Sequence, residues 1–125
     1  MSDVLKGKRL LIVDDEPDLR EMLEFEFEMS GASVETAMNG RDALEKFKHQ
    51  AFDLIISDIR MPGGDGVELI KNLNSQNIQV PLIFISGFAD IQVDEAYELG
   101  ASGYFTKPFV LQEIVNKVAE LTKNV

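Results

Sequence analysis

The sequence has no cysteine and a single histidine, His49. Without thiols there are no disulfides and no thiolate metal sites, and one imidazole cannot build a histidine cluster. Apolar runs are short. None approaches the roughly 20 residues that a membrane helix requires. The N-terminal MSDVLKGKR lacks the long apolar segment of a signal peptide. A soluble cytoplasmic protein is therefore expected. Basic residues are also scarce: 12 Lys and Arg stand against 22 Asp and Glu, a formal net charge of −10. Nucleic-acid binding through the whole fold is disfavoured, because phosphate contacts need clustered cations. Metal cations and basic protein surfaces suit this charge better.

What remains is ordinary globular composition, 45% hydrophobic and 27% charged over 125 residues. That length fits one domain, residues 1–125, with a sizeable core. No linker, low-complexity segment or internal repeat interrupts it.

Strand-like and helix-like segments alternate along the chain. Arg9 to Val13 (RLLIV) reads as a buried strand. Asp14-Asp15-Glu16-Pro17 ends it, and Pro17 suits the first turn of a helix. That helix carries Leu19, Met22, Leu23 and Phe27 and should stop at Ser30-Gly31, with Gly31 as its C-cap. Glu24 to Met29 (EFEFEM) alternates with period two, a strand signal, but the upstream stripe and the glycine stop favour helix. Phe25 and Met29 then either widen the buried arc or form an exposed patch; core edge is the preferred reading.

Ser33 to Ala37 is the second strand, and Asn39-Gly40 a turn before a helix marked by Ala43, Leu44 and Phe47. His49 reads as a solvated residue near that helix end. Asp53 to Ser57 is the third strand, followed by a helix with Val67, Leu69, Ile70 and Leu73. Pro81 to Ser86 is the fourth. Asp90 can cap a helix containing Val93, Ala96, Tyr97 and Leu99. Ser102 to Phe105 is a short fifth strand, and Leu111, Ile114, Val115, Val118 and Leu121 mark the last helix. Five strand–helix units with buried strands imply an α/β fold with a parallel sheet covered on both faces. Five are too few for an eight-stranded barrel, so a (βα)5 doubly wound open sheet is expected, flavodoxin-like with strand order 2-1-3-4-5.

Parallel strands bring their ends to one edge. The first strand ends in Asp14 and Asp15, the third in Asp58, the fourth in Ser86, and Lys107 follows the fifth. Taken singly, each has a plain explanation: Asp58 and the Asp14-Asp15 pair as caps, Ser86 as a loop hydroxyl, Lys107 as a surface charge. Taken together, three close carboxylates repel and take up protons unless a cation relieves them. Oxygen-only donors favour Mg²⁺ over zinc. Lys107 and Ser86 suit an incoming phosphoryl group, and a free carboxylate can attack phosphorus to give an aspartyl phosphate.

The segments LLIVDDEP, NGRDAL, DLIISDIRMPGGDG, PLIFISG and GASGYFTKPF, in this order and spacing, resemble the response-regulator receiver domain. In size the chain is close to the single-domain chemotaxis type. The resemblance implies that Asp58 is the phosphoacceptor. It implies that Asp14, Asp15, Asp58 and the backbone carbonyl of Arg60 hold Mg²⁺, with Lys107 binding the phosphoryl group through a cis Lys107–Pro108 peptide. Ser86 would be the hydroxyl switch, and Tyr104 either the aromatic switch or static packing. A histidine kinase or histidine phosphotransfer protein would donate, and a protein target would read the fourth helix, fifth strand and fifth helix. Departures from the family pattern are Gly64, where Met is frequent, and Val110, where Asp often caps the last helix. Arg60 and Phe88 fill the variable positions two residues beyond Asp58 and Ser86. Gly63, Gly64 and Gly66 read as turn glycines, since no GxGxxG or Walker pattern is present. Three rivals bear on function. A receiver excised from a longer regulator has the same site. A Mg²⁺-dependent phosphohydrolase usually carries a second Asp two residues after its nucleophile, where this chain has Arg60. A degenerate receiver used only for binding would not need the complete acidic set.

Overall fold

The computed structural model describes residues 3–63, 65–87 and 91–123. Its elements are β1 (Arg9–Val13), α1 (Pro17–Met29), β2 (Ser33–Ala37), α2 (Gly40–Phe47) and β3 (Leu54–Asp58). They continue with α3 (Gly66–Ser75), β4 (Leu82–Ser86), α4 (Val93–Glu98), β5 (Gly103–Thr106) and α5 (Leu111–Thr122). All strands pair in parallel in the order β2-β1-β3-β4-β5. The (βα)5 doubly wound sheet expected from the alternation is the fold that forms.

The sheet separates two cores. On one face Leu11, Val13 and Ile55 meet Leu69, Ile70 and Leu73 of α3, with Ala43 of α2 and Ala96 of α4. On the other, Leu10, Ile12, Leu54 and Ile56 meet Leu23 and Phe27 of α1 and Ile114, Val115 and Val118 of α5. Successive side chains of a strand point to opposite faces, so continuous apolar runs feed both cores at once. β3 and β4 are buried at every residue, whereas the edge strand β2 buries only Ala37.

Local chemistry sets the helix ends. Pro17 opens α1. Asn39 caps α2 by accepting from the Asp42 N–H, and Asp65 caps α3 by accepting from the Glu68 N–H at 2.8 Å. α1 closes on Ser30 as C-cap, with Gly31 one residue later at φ +101°, the left-handed position that glycine occupies without strain. The N-terminal segment straps this end: the Leu5 N–H donates to Ser30 O at 2.8 Å, and the Leu5 side chain is fully buried.

Several expectations need correction. β3 and β5 run one residue later than expected, so Asp58 is the last residue of β3 rather than the first beyond it. Phe25 is not core edge: it is 63% exposed, and Met22 and Met29 are also exposed. Leu19, Leu23 and Phe27 form the inward stripe at i, i+4 spacing; Met22, Phe25 and Met29 lie on the solvent side. Phe25 and Met29 line an open groove of about 290 Å³ against Val115. α4 is short, with Leu99 as C-cap and Gln92 at its N-cap, where no side-chain bond is made; Asp90 lies outside the described residues. Gly66 is the first residue of α3 rather than a turn glycine. A Cβ there would press on the Asp58 carbonyl oxygen and reach within 3.0 Å of the Phe84 ring. His49 sits just beyond α2 as an exposed residue 3.6 Å from Glu45.

Candidate functional site

The site is assembled by the register of the central strands. Val13 pairs with Ser57, Asp58 with Ile85, and Ser86 with Thr106. Asp14 therefore leaves the sheet beside Asp58, and Lys107 follows the strand next to Ser86. The Lys107 N–H donates to Ser86 O at 2.7 Å, and the Lys107–Pro108 peptide is cis, as the resemblance implied.

Asp14 and Asp58 are both buried, at 2% and 7% exposure. Each is held from its own backbone surroundings. Asp14 Oδ1 accepts from the Glu16 N–H at 2.8 Å, and Asp58 Oδ1 accepts from the Ile59 N–H at 2.7 Å. The Arg20 guanidinium donates to Asp14 O at 2.7 Å, tying α1 to the end of β1. Behind Asp58, the Ser57 hydroxyl donates to Asp58 O and the Gly66 N–H to Ile59 O, each at 2.8 Å, which fixes the turn into α3.

Lys107 reaches over these carboxylates. Its Nζ lies 3.3 Å from Asp58 Oδ2, 3.8 Å from Asp14 Oδ2 and 3.1 Å from Glu16 Oε1. Burial pushes the Asp14 carboxyl up from 3.8 to about 6, and the nearby Asp58 charge adds to this against the Glu16 N–H and Lys107. Asp58 is raised by the same loss of water, opposed mainly by Lys107. Burial works against the Lys107 charge, but Asp14, Glu16 and Asp58 together outweigh it and hold the ammonium above its ordinary value.

Of the expected site residues, the structure thus brings Asp14, Asp58 and Lys107 into contact, with Ser86 fully buried at the adjoining strand end. Asp15 is exposed, and its charge is felt at Asp58 as a further upward push. Arg60 is exposed in the loop after β3, beside an open depression of about 450 Å³ that Met61, Pro62 and Asp65 also line. Tyr104 is half-buried in β5, its ring among the side chains on the α4 face, and its hydroxyl donates to Ile91 O at 3.2 Å. Gly64 and Phe88 lie outside the described residues.

Glu16 was not anticipated. One carboxylate oxygen each from Asp14, Glu16 and Asp58 lie within 4.8 Å of one another. Beside Pro17, Glu16 reads in the sequence as an acid at a helix N-terminus; in the structure its backbone is extended, φ −91° and ψ 112°, and its side chain makes no capping bond. These hard oxygen donors around buried, proton-seeking carboxylates fit a divalent cation such as Mg²⁺.

Comparison with known proteins agrees with this geometry. The response regulator receiver domain family matches residues 10–119. The chain is a receiver domain of the two-component response regulators. It is 36% identical over 119 residues to the alkaline phosphatase synthesis transcriptional regulatory protein PhoP of Bacillus subtilis, covering 94% of this chain and 49% of that protein. Against the regulatory protein AtoC of Escherichia coli it is 39% identical over 107 residues, 85% of this chain and 23% of that one. The chain thus spans about half or less of the length of these curated relatives. Among solved structures, the receiver domain of the Francisella response regulator 1452 superposes with a TM-score of 0.87 at 32% identity, covering 94% of this chain and 98% of that one. The Thermotoga maritima response regulator TrrA, solved in complex with Mg²⁺–BeF, gives 0.82 at 36% identity over 91% and 98%. The chemotaxis regulator CheY4 of Vibrio cholerae gives 0.81 at 32% identity over 91% and 98%. Relatives of chemotaxis and of transcriptional type are both represented, so the family is defined and the chemotaxis subclass is not.

Proposed function

We propose that Asp58 accepts a phosphoryl group from a phosphohistidine of a histidine kinase or phosphotransfer protein, and that the product changes which protein partner binds. The observation that carries this reading is the Lys107 ammonium 3.3 Å from a buried carboxylate, with Asp14 alongside. An Asp58 oxygen attacks phosphorus as the P–N bond breaks, and the imidazole nitrogen leaves with the electron pair. Lys107 offsets charge that develops on the phosphoryl oxygens, and the Ile59 N–H holds the other Asp58 oxygen in place. Asp14, Asp15, Asp58 and the Arg60 carbonyl would hold Mg²⁺, Asp14 and Asp58 being the buried members of the carboxylate cluster. When bound, the ion would supply positive charge that offsets the negative charge gathered at the site. TrrA, solved in complex with Mg²⁺–BeF, supports a Mg²⁺ site here by likeness.

In the switch, the Ser86 hydroxyl turns to the phosphoryl group, and Tyr104 releases Ile91 and packs inward. The face of α4, β5 and α5 is then read by a target protein, with no direct contact to nucleic acid. Among the described residues no helix is long and apolar enough to cross a membrane. A cytoplasmic setting, where kinases act, fits this reading. Catalysis extends only to the domain's own phosphorylation and dephosphorylation. The same reading holds whether residues 1–125 act alone, as in the chemotaxis type, or joined to an output domain.

Incubation with Mg²⁺ and acetyl phosphate tests it. Intact mass should rise by one phosphoryl group in wild type and not in Asp58→Asn, whose amide oxygen can still accept from Ile59. Absence of labelling in wild type, or equal labelling in the variant, rejects Asp58 as acceptor. Sustained turnover of an external phosphate ester would favour a phosphohydrolase.

A further inference from the structure

Lys107 serves a carboxylate that the proposed transfer does not require. Glu16 stands at the N-cap of α1, where its side chain makes no capping bond, and its Oε1 instead accepts from Lys107 Nζ at 3.1 Å. The two are 91 residues apart in sequence. Their contact joins the β1–α1 corner to the β5–α5 loop above Asp58. Among the described residues it is also the shortest of the three contacts that the ammonium makes with carboxylates, the others being 3.3 and 3.8 Å.

We infer that Glu16 is a restraining residue, a carboxylate that shares the Lys107 ammonium with Asp58 in the unmodified protein and thereby slows phosphoryl uptake. The inference rests on Asp58 being the acceptor. In the transfer from acetyl phosphate, an Asp58 oxygen bonds to phosphorus while the bond from phosphorus to the acetate oxygen breaks, and acetate departs with the electron pair. The single carboxylate charge of Asp58 becomes a phosphoryl group of charge about −1.5 to −2 with three acceptor oxygens. Lys107 has only three N–H donors. A donor held on Glu16 is withheld from the phosphoryl oxygens, and the Glu16 charge repels both the anionic donor and the product.

An exposed ion pair alone is a weak device. The Glu16 side chain is 62% exposed, but Lys107 is only 22% exposed and its other partners are buried, so salt screens the pair less than one between two surface residues. An opposite role, with Glu16 aiming Lys107 into the site, is not needed. Asp58 and Asp14 already draw the ammonium inward at 3.3 and 3.8 Å.

Glu16→Gln tests this in the full chain, because it keeps side-chain length and removes the charge. Glu21→Gln, exposed on α1, makes the same change in net charge away from the site and serves as control. With Mg²⁺ and acetyl phosphate, Glu16→Gln should label about 2- to 5-fold faster than wild type and the control. An equal or slower rate overturns the restraint. In metal-free protein, the Lys107 Nζ and Cε resonances should move in Glu16→Gln and stay in Glu21→Gln. Unmoved resonances also overturn it, since Glu16 then does not hold Lys107 in solution. Failure of the acceptor reading is seen separately, as wild type that takes no label while the Lys107 resonances still respond to Glu16→Gln; the restraint falls with it.

Discussion

Lys107 Nζ sits 3.3 Å from Asp58 Oδ2 across 49 residues of sequence, and this ion pair is the main counterweight to the loss of water at Asp58. Truncation as Lys107→Ala leaves Asp14 and Asp58 buried together without their cation. The expected result in metal-free protein near neutral pH is a loss of about 1–3 kcal/mol, read as a lower denaturant midpoint. Phosphoryl uptake from acetyl phosphate should fall at least tenfold, as when one preorganised charge-stabilising donor is removed. Full stability with unchanged uptake would show that Lys107 contributes to neither.

The pH dependence has a definite sign. Burial first, then the Asp58 charge, lifts the Asp14 carboxyl from 3.8 to about 6 in the folded protein. The folded state therefore binds this proton more tightly than the unfolded chain. The resulting stability is full below 3.8 and lost as pH rises through about 6, on the order of 2–3 kcal/mol in all. Asp58 is shifted in the same direction. The melting temperature of metal-free protein should fall as pH rises across this window, and Asp14→Asn should flatten the slope. Mg²⁺ competes with those protons, so the melting-temperature gain on adding MgCl₂ should grow with pH and shrink in Asp14→Asn. A metal effect independent of pH would mean that the ligands lie elsewhere.

Gly66 has no positive φ to accommodate; its value is the close approach of α3 to β3. Gly66→Ala drives a methyl group against the Asp58 carbonyl oxygen, Ser57 Oγ and the Phe84 ring. A loss of about 1–3 kcal/mol is expected from overpacking, with slower phosphoryl uptake because the end of β3 must shift. Thermal denaturation and labelling kinetics of the same variant check both, and a stable, fully active variant would show that the loop yields at no cost.

At α5 the missing cap is visible. Val110 is the N-cap residue, with extended backbone and no side-chain bond to the helix. Val110→Asp should raise stability by about 0.5–2 kcal/mol through a new bond to a first-turn N–H. A midpoint that does not rise in urea would mean that those donors are already satisfied.

Strands were the most legible part of the sequence. β1 and β2 have the boundaries that RLLIV and SVETA imply, since a short apolar or alternating run between turn residues admits few alternatives. α1 formed despite the period-two EFEFEM, because Leu19, Leu23 and Phe27 already define a buried stripe and Gly31 ends it. The same segment misled about Phe25. Hydrophobicity alone assigned it inward, yet its angular position on the helix faces solvent. Asp14, Asp58 and Lys107 could be grouped in advance because parallel strands must deliver their ends to one edge. Glu16 could not be singled out as easily. Beside Pro17 it looks like an acid at a helix N-terminus, and its partner is fixed only by tertiary geometry.

The two cores share no side chain, since the sheet stands between them. Leu73 and Val118 belong to different clusters, so changes at the two have no common neighbour through which to couple and should add nearly independently. Substitutions can thus accumulate beneath α1 and α5 without disturbing the packing of α2, α3 and α4. Asp58 ends a strand that feeds both sides. It is anchored to the one part of the molecule that neither set of changes can alter alone.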